Sequence, residues 1–165
     1  MTRILLVCLG NICRSPLACS AFHAWLAARG LLWAFEVDSA GTYAGHPGAA
    51  ADRRAVALAL AHGWTQISRA RARRVTEQDF ERFDLILAMD RSNLLHLQRQ
   101  CPPRHRHKLH LFLEYAALDG VREVPDPYFG NDAGFQRVLH LCAAGAQGVL
   151  ERLTASAPPN AQTRP

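Results

Sequence analysis

The sequence predicts an α/β domain, a three-layer sandwich built on a central four-stranded parallel sheet. Three observations lead there. Four short, largely apolar runs, at residues 3–7, 34–37, 84–89 and 108–113, are separated by segments of helical periodicity. Strands and helices alternate, which implies right-handed βαβ crossovers and helices on both faces of one sheet. No repeat, linker or composition shift divides the 165 residues, about one domain's worth of chain.

The elements follow in order. Residues 3–7 (Arg3-Ile4-Leu5-Leu6-Val7) form a buried strand of the parallel-sheet kind, reaching Cys8 before Leu9-Gly10-Asn11 signals a turn. Residues 15–29 read as a helix, with Pro16 tolerated in the first turn and Gly30 as the stop. The second strand, 34–37, is closed by Ser39-Ala40-Gly41-Thr42. A helix over 52–62 ends at Gly63. Thr76-Glu77-Gln78-Asp79 is a capping-type helix start. The most apolar strand, 84–89, leads into a helix over 90–100 that Cys101-Pro102-Pro103 breaks. After the fourth strand, 133–153 is a long final helix. One folded unit is thus expected over residues 1–153, with 154–165, rich in Pro, Ala, Ser and Asn, as a flexible C-terminal tail.

Composition sets limits on function. At 49% hydrophobic and 20% charged, the chain can bury a core and is not of the disordered class. No apolar run approaches the roughly 18 residues a membrane span needs. Arg3 and the apolar residues after it faintly imitate a signal peptide, but Asn11 and Arg14 interrupt too early for one, so the mature chain is expected to start near Met1. Five cysteines, an odd number in a chain too long to need staples, favour a reducing cytoplasm and one or two working thiols. A net charge of +5 favours anionic partners without choosing between nucleic acid, membrane and phosphorylated substrate.

In parallel α/β sheets ligands bind beyond the carboxyl ends of the strands, here at Cys8. The eight residues Cys8-Leu9-Gly10-Asn11-Ile12-Cys13-Arg14-Ser15 join the first strand to the first helix. Such a loop can curl so that successive N–H groups point inward, an anion-binding nest at a helix N-terminus. Arg14 adds a planar fork suited to two oxygens of a tetrahedral oxyanion. Cys8 sits beneath that anion, so nucleophile, cradle and counter-charge arise from consecutive residues. The competing reading, Cys8 as one more buried strand cysteine and Arg14 as a surface residue, leaves the turn, the strand end and the arginine unrelated.

The run Val7-Cys8-Leu9-Gly10-Asn11-Ile12-Cys13-Arg14-Ser15-Pro16 closely resembles the signature of the low-molecular-weight protein tyrosine phosphatases. The resemblance continues through Asp38-Ser39-Ala40-Gly41-Thr42 and residues 84–93. It closes on Asp126-Pro127-Tyr128-Phe129-Gly130-Asn131, and so covers nearly all of residues 3–153. A C-x5-R motif alone would be shared with unrelated phosphatases; the first and last motifs together are specific.

The resemblance implies a role for each residue. Cys8 is the nucleophile that takes the phosphoryl group as cysteinyl-phosphate. The amides of Leu9, Gly10, Asn11, Ile12, Cys13 and Arg14, with the Arg14 guanidinium, bind the phosphate oxygens, where preorganised donors have the largest effect. Ser15 donates its hydroxyl to the Cys8 sulfur and can also cap the helix. Asn11 holds the loop's shape through a strained or left-handed backbone. Asp126 is the general acid for the leaving phenolate, on a loop stiffened by Pro125 and Pro127. Tyr128 lines the pocket wall, and Phe129 either joins it or packs in the core. Cys13 is either a resolving partner that protects Cys8 by a reversible disulfide or simply fills space. Cys19, Cys101 and Cys142 and the eight histidines show no metal-site spacing, and the reaction implied needs no metal or cofactor.

The sequence departs from the pattern at two places. Gly45 stands where many relatives carry a wall aromatic, so either Tyr43 swings in as a substitute or the pocket is open there. Arg69 stands where relatives often have a histidine supporting the loop near Asp90; it is expected to bond Asn11 or Asp90, or else to belong to a solvated basic run. That run, residues 69–74, lacks aromatic interleaving, so nucleic acid is not the expected partner. The expected partner is a tyrosine-phosphorylated protein, a bacterial tyrosine kinase being one candidate, with no membrane association. Two rival readings remain. Arsenate reductase on the same fold needs relay cysteines that residues 73–100 lack, and a non-catalytic phosphotyrosine-binding module would not need both Cys8 and Asp126.

Overall fold

The computed structural model describes residues 1–43 and 45–156. Four strands, β1 (Thr2–Cys8), β2 (Phe35–Gly41), β3 (Leu85–Ala88) and β4 (Leu109–Leu111), form one sheet in the order β2-β1-β3-β4, and every pairing is parallel. The helices are α1 (Arg14–Ala28), α2 (Arg53–Ala61), α3 (Glu77–Arg82), α4 (Arg91–Gln100), α5 (Phe112–Tyr115) and α6 (Asp132–Ala155). The expected three-layer α/β sandwich is the fold observed.

The pleat of β1 sorts the layers. Ile4, Leu6 and Cys8 point to a core shared with Leu17 and Phe22 of α1, Ala55 of α2 and Val138 of α6. Leu5 and Val7 point the opposite way, against Phe80 of α3 and Leu97 of α4. Burial on both faces explains why the strand reads as an unbroken apolar run. Cys8 therefore leaves the sheet on the α1 side, directly beneath the N-terminus of that helix.

Two strand boundaries differ from expectation. β2 continues through Asp38-Ser39-Ala40-Gly41 instead of turning there, because β1 pairs with it in unbroken register from Thr2 with Phe35 to Cys8 with Gly41. β4 stops at Leu111, and the chain turns into α5, where Phe112 and Leu113 are buried under α6. Two glycines of α6 admit that segment. A Cβ at Gly145 would lie 2.4 Å from Cζ of Phe112, and one at Gly148 would lie 2.4 Å from the carbonyl oxygen of Ala116. Among the described residues the buried side chains form two clusters, one on each face of the sheet, and β1 contributes to both, so it fixes the site's position in both layers.

Asp52, Thr76, Asp90 and Asn131 cap α2, α3, α4 and α6, and Thr76 forms a reciprocal box with Asp79. Short 3₁₀ turns at Leu32–Ala34, Thr65–Arg69 and Pro103–Lys108 were not anticipated from periodicity. α6 runs to Ala155, two residues into the expected tail; residues 157–165 of that tail lie outside the described residues.

Candidate active site

Cys8 is the last residue of β1 and Arg14 the first of α1, so the intervening loop must reverse within five residues. Asn11 makes the reversal with φ of 57°, the left-handed conformation that asparagine tolerates better than most residues. Its buried side chain secures the turn. Nδ2 donates to Ser15 Oγ and to Ser39 Oγ, both at 2.9 Å, and Oδ1 accepts the Arg73 backbone N–H at 2.9 Å. Gly41 lies close behind the loop, where a Cβ would approach Leu9 O to 2.6 Å. Only glycine fits there.

The Cys8 sulfur is held by two partners. The Asn11 N–H donates to Sγ at 3.2 Å, and Ser15 Oγ lies 3.0 Å away. Arg14 is 2% exposed and directed by three groups. Its Nη1 donates to Asp90 Oδ2 at 2.5 Å and to the Val124 carbonyl at 3.1 Å, while Nη2 lies 3.5 Å from Asp126 Oδ2. Burial works against its charge, but Cys8, Asp90 and Asp126 more than offset that and hold the guanidinium above its ordinary pKa. Arg14 is thus a fixed cation.

Cys8, Arg14 and Asp126 line one cleft of about 270 Å³. Asp126 reaches it from a half-exposed position, its Oδ1 accepting the Tyr128 N–H at 3.1 Å. Tyr128 and Phe129 stand at the mouth, rings edge to face at 4.9 Å. Phe129 is 96% exposed, so of its two expected places it takes the rim, not the core. Tyr43, Gly45 and His46 line the same cleft. A Cβ at Gly45 would lie 2.9 Å from Tyr43 Cε1, so the tyrosine ring rests across the glycine and takes the place of a wall side chain there.

Of the two places expected for Arg69, the structure gives it the exposed one, in the basic run and away from Asn11 and Asp90. It ends the 3₁₀ turn Thr65–Arg69 and lines a separate cleft with Cys19 and Asp38; Arg73 reaches Asn11 instead, through its backbone. Cys13 is buried in the cleft wall. Burial first, then Asp52, Cys8 and Asp126, push its thiol up to about 12. Burial does the same to Cys19, also to about 12, and pushes Cys142 up, its Sγ donating to the Arg14 carbonyl at 3.8 Å. Among the described residues no group of three or more His, Cys, Asp or Glu could hold a metal ion, and no helix is long and apolar enough to cross a membrane.

Sequence reasoning missed Arg54. It pairs with Asp52 at 3.0 Å, donates to the Tyr128 carbonyl at 3.0 Å and lies 4.4 Å over the Phe135 ring. The Asp52 N–H in turn donates to the Ile12 carbonyl at 2.8 Å. Asp52 and Arg54 thereby join the loop of residues 8–15 to the loop of Asp126 and Tyr128. The helix that starts at Asp52 was visible locally; a contact 74 residues away in sequence had no local signal.

Comparison with known proteins agrees with this geometry. The family described as low molecular weight phosphotyrosine protein phosphatase matches residues 3–158. A low molecular weight protein-tyrosine-phosphatase of Streptomyces coelicolor is 40% identical over 90% of this chain and 91% of its own. The human low molecular weight phosphotyrosine protein phosphatase is 36% identical over 90% and 94%. A crystal structure of a protein tyrosine phosphatase from Entamoeba histolytica, with Hepes in the active site, superposes with a TM-score of 0.89 at 34% identity, covering 94% of this chain and 98% of that one. Matched from its first strand through its last helix, the chain belongs to the low molecular weight phosphotyrosine protein phosphatase family.

Proposed function

We propose that the protein hydrolyses phosphotyrosine in protein substrates through a cysteinyl-phosphate on Cys8. One observation supports this above the others: the Cys8 sulfur, the buried Arg14 and the half-exposed Asp126 line a single aromatic-rimmed cleft. The phosphate sits in the loop of residues 8–15, its oxygens on the amides of Leu9 through Arg14 and on the Arg14 guanidinium. Charge grows on those oxygens in the transition state, and donors already in place need no reorganisation.

In the first step the Cys8 sulfur forms a bond to phosphorus as the P–O bond to the phenol breaks, and Asp126 gives its proton to the departing phenolate. In the second, Asp126 as carboxylate takes a proton from the water that attacks phosphorus. The S–P bond breaks, inorganic phosphate leaves and the Cys8 thiolate returns. Ser15 Oγ, 3.0 Å from Sγ, supports the sulfur as it leaves. Tyr43 and Tyr128 hold the substrate ring between them.

Tyrosine-phosphorylated proteins, a bacterial tyrosine kinase among them, are the proposed substrates, with residues 1–153 as the catalytic unit. Five free cysteines fit work in a reducing cytoplasm. There Cys13 also serves redox protection: peroxide oxidises Cys8 to the sulfenic acid and is itself reduced to water, and the Cys13 thiol then forms the disulfide, releasing a second water. Release of phosphate from p-nitrophenyl phosphate tests the main reading. The parent protein turns over and Cys8→Ser does not; an inactive parent, full activity in Cys8→Ser, or thiol-coupled turnover of arsenate instead would overturn it.

A further inference from the structure

Arg73 lies outside the cleft, yet its main chain bonds both Asn11 of the loop of residues 8–15 and Gly41 at the end of β2 behind it. Its N–H donates to Asn11 Oδ1 at 2.9 Å, and its carbonyl accepts the Gly41 N–H at 2.8 Å. Gly41 is the residue whose backbone presses against Leu9. The position of that short stretch of backbone therefore sets where Asn11 can hold the loop.

The Arg73 side chain fixes the same stretch. Its Nε and Nη2 donate to Asp38 Oδ2 at 3.2 and 2.9 Å, and its Nη1 and Nη2 donate to Asp79 Oδ2 and Oδ1 at 2.9 and 3.1 Å. Asp79 is itself anchored by the Thr76 N–H at 2.8 Å in the capping box of α3. Asp38 Oδ1 accepts the Ser39 N–H at 2.7 Å, and Ser39 Oγ accepts from Asn11 Nδ2. The bonds close a ring: Asn11 to Arg73, Arg73 to Asp38, Asp38 to Ser39, Ser39 back to Asn11. A guanidinium is the one side chain that can serve two carboxylates from a planar fork.

We infer that Arg73 is a positioning residue for the phosphatase reaction, clamping Asp38 and Asp79 so that its own N–H holds Asn11 in the left-handed turn beneath the bound phosphate. It acts through Asn11 and touches neither substrate nor the Cys8 sulfur. A lysine, with a point charge and no fork, cannot reproduce the clamp. Favourable charge on both carboxylates supports the arrangement: Arg73 is held above its ordinary pKa despite burial, and Asp79, also opposed by burial, is held below its own.

The inference rests on the proposed phosphatase activity for its kinetic arm only, because binding of inorganic phosphate reads the loop without turnover. Arg73→Met and Asp38→Asn are compared with the parent, with Arg82→Met as a control that removes a surface ion pair to Glu36. All are assayed at a temperature where circular dichroism shows each folded. One hydrogen bond's worth of loop order corresponds to about 3- to 10-fold. Arg73→Met is expected to lower kcat on aryl phosphate by that factor and to raise the calorimetric Kd for inorganic phosphate by the same factor. Asp38→Asn shifts both less, in the same direction, and Arg82→Met shifts neither. If the clamp only stabilises the fold, Tm falls while kcat and phosphate Kd stay within twofold of the parent, and the inference is overturned. Should Arg73→Met not fold, an unchanged phosphate Kd in Asp38→Asn overturns it alone. A parent that binds phosphate without turning over aryl phosphate sinks the proposed activity, and the binding shifts still decide the role of Arg73.

Discussion

Asn11 shows how much one residue can be asked to do. Its left-handed backbone costs about 1–2 kcal/mol, and its side-chain hydrogen bonds contribute about 0.5–1.5 kcal/mol each, so the three at 2.9 Å more than offset the strain. Asn11→Ala keeps the strain and takes a hydrogen-bond partner from Ser15 Oγ, Ser39 Oγ and the Arg73 N–H, at about 0.5–1.5 kcal/mol for each. The urea midpoint is expected to fall with m unchanged, by the equivalent of at least about 2 kcal/mol. Asp126 is a different kind of residue, half-exposed and expendable to the fold. Asp126→Ala is expected to leave the midpoint alone and lower kcat by about 10²–10⁴ on phosphotyrosine, whose phenolate leaves poorly unprotonated. The loss on p-nitrophenyl phosphate, a better leaving group, should be smaller; equal losses on both substrates would argue against proton donation. Gly45 sets the wall through what it lacks. Gly45→Val brings a Cβ to 2.9 Å from Tyr43 and displaces the ring, a flexible and exposed neighbour. An aromatic contact of about 0.5–1.5 kcal/mol predicts that KM for aryl phosphates rises by about 2- to 12-fold with Tm unchanged.

Among the elements, those with their own periodicity or caps were legible in the sequence and those decided by a distant partner were not. β1 and β3 announced themselves as apolar runs because both their faces are buried. α3 was marked by the capping start at Thr76, and α2 and α4 by helical periodicity over 52–62 and 90–100. The second half of β2 looked like a turn because Asp38, Ser39 and Gly41 are turn formers. It remains strand because β1 offers an unbroken parallel ladder, and the same residues then serve the loop: Ser39 bonds Asn11 and Gly41 makes room for Leu9. In the site itself, Cys8, Arg14 and Ser15 were legible because one short loop holds them. Arg54 and Arg73 were not, since each acts through contacts more than 60 residues away. α5 was hidden likewise, its apolar residues continuing β4 in sequence while α6 bends them out of the sheet. That packing carries its own prediction. Gly148→Ala places a methyl 2.4 Å from the Ala116 backbone, and Gly145→Ala one 2.4 Å from a fully buried Phe112 ring, neither of which can swing away. Each substitution is expected to cost about 1–3 kcal/mol by denaturant unfolding, while KM of the folded fraction stays at the parent value.

At the scale of the whole molecule, the surplus of positive charge matters less than where protons are refused. His23, on α1, and His110, on β4, are held below their ordinary pKa of 6.5, first by burial. The Val37 carbonyl and Asp38 favour charge on His23 without overcoming its desolvation; the His107 carbonyl favours charge on His110, and Arg152 and the His107 ring add to the desolvation against it. Both are neutral in the folded state at pH values where the unfolded chain has already bound protons. By linkage, their share of stability is complete above about pH 6.5 and is lost as pH falls from there through the folded-state values. Asp52, held down chiefly by Arg54, and Asp79, held down by Arg73 and Thr76 against its burial, add a second loss, present above an ordinary value of 3.8 and removed as pH falls below it. Acid unfolding is therefore expected in two stages, a histidine stage that sets in as pH falls below about 6.5 and a carboxylate stage that sets in below about pH 4. Urea midpoints at pH 7.5 and 5.5 measure the first. They should fall with acidification in the parent and fall less in His23→Gln, which keeps a hydrogen-bond donor for the Val37 carbonyl but cannot be protonated. A midpoint independent of pH over that interval would mean that both imidazoles take up protons as readily inside the fold as outside it.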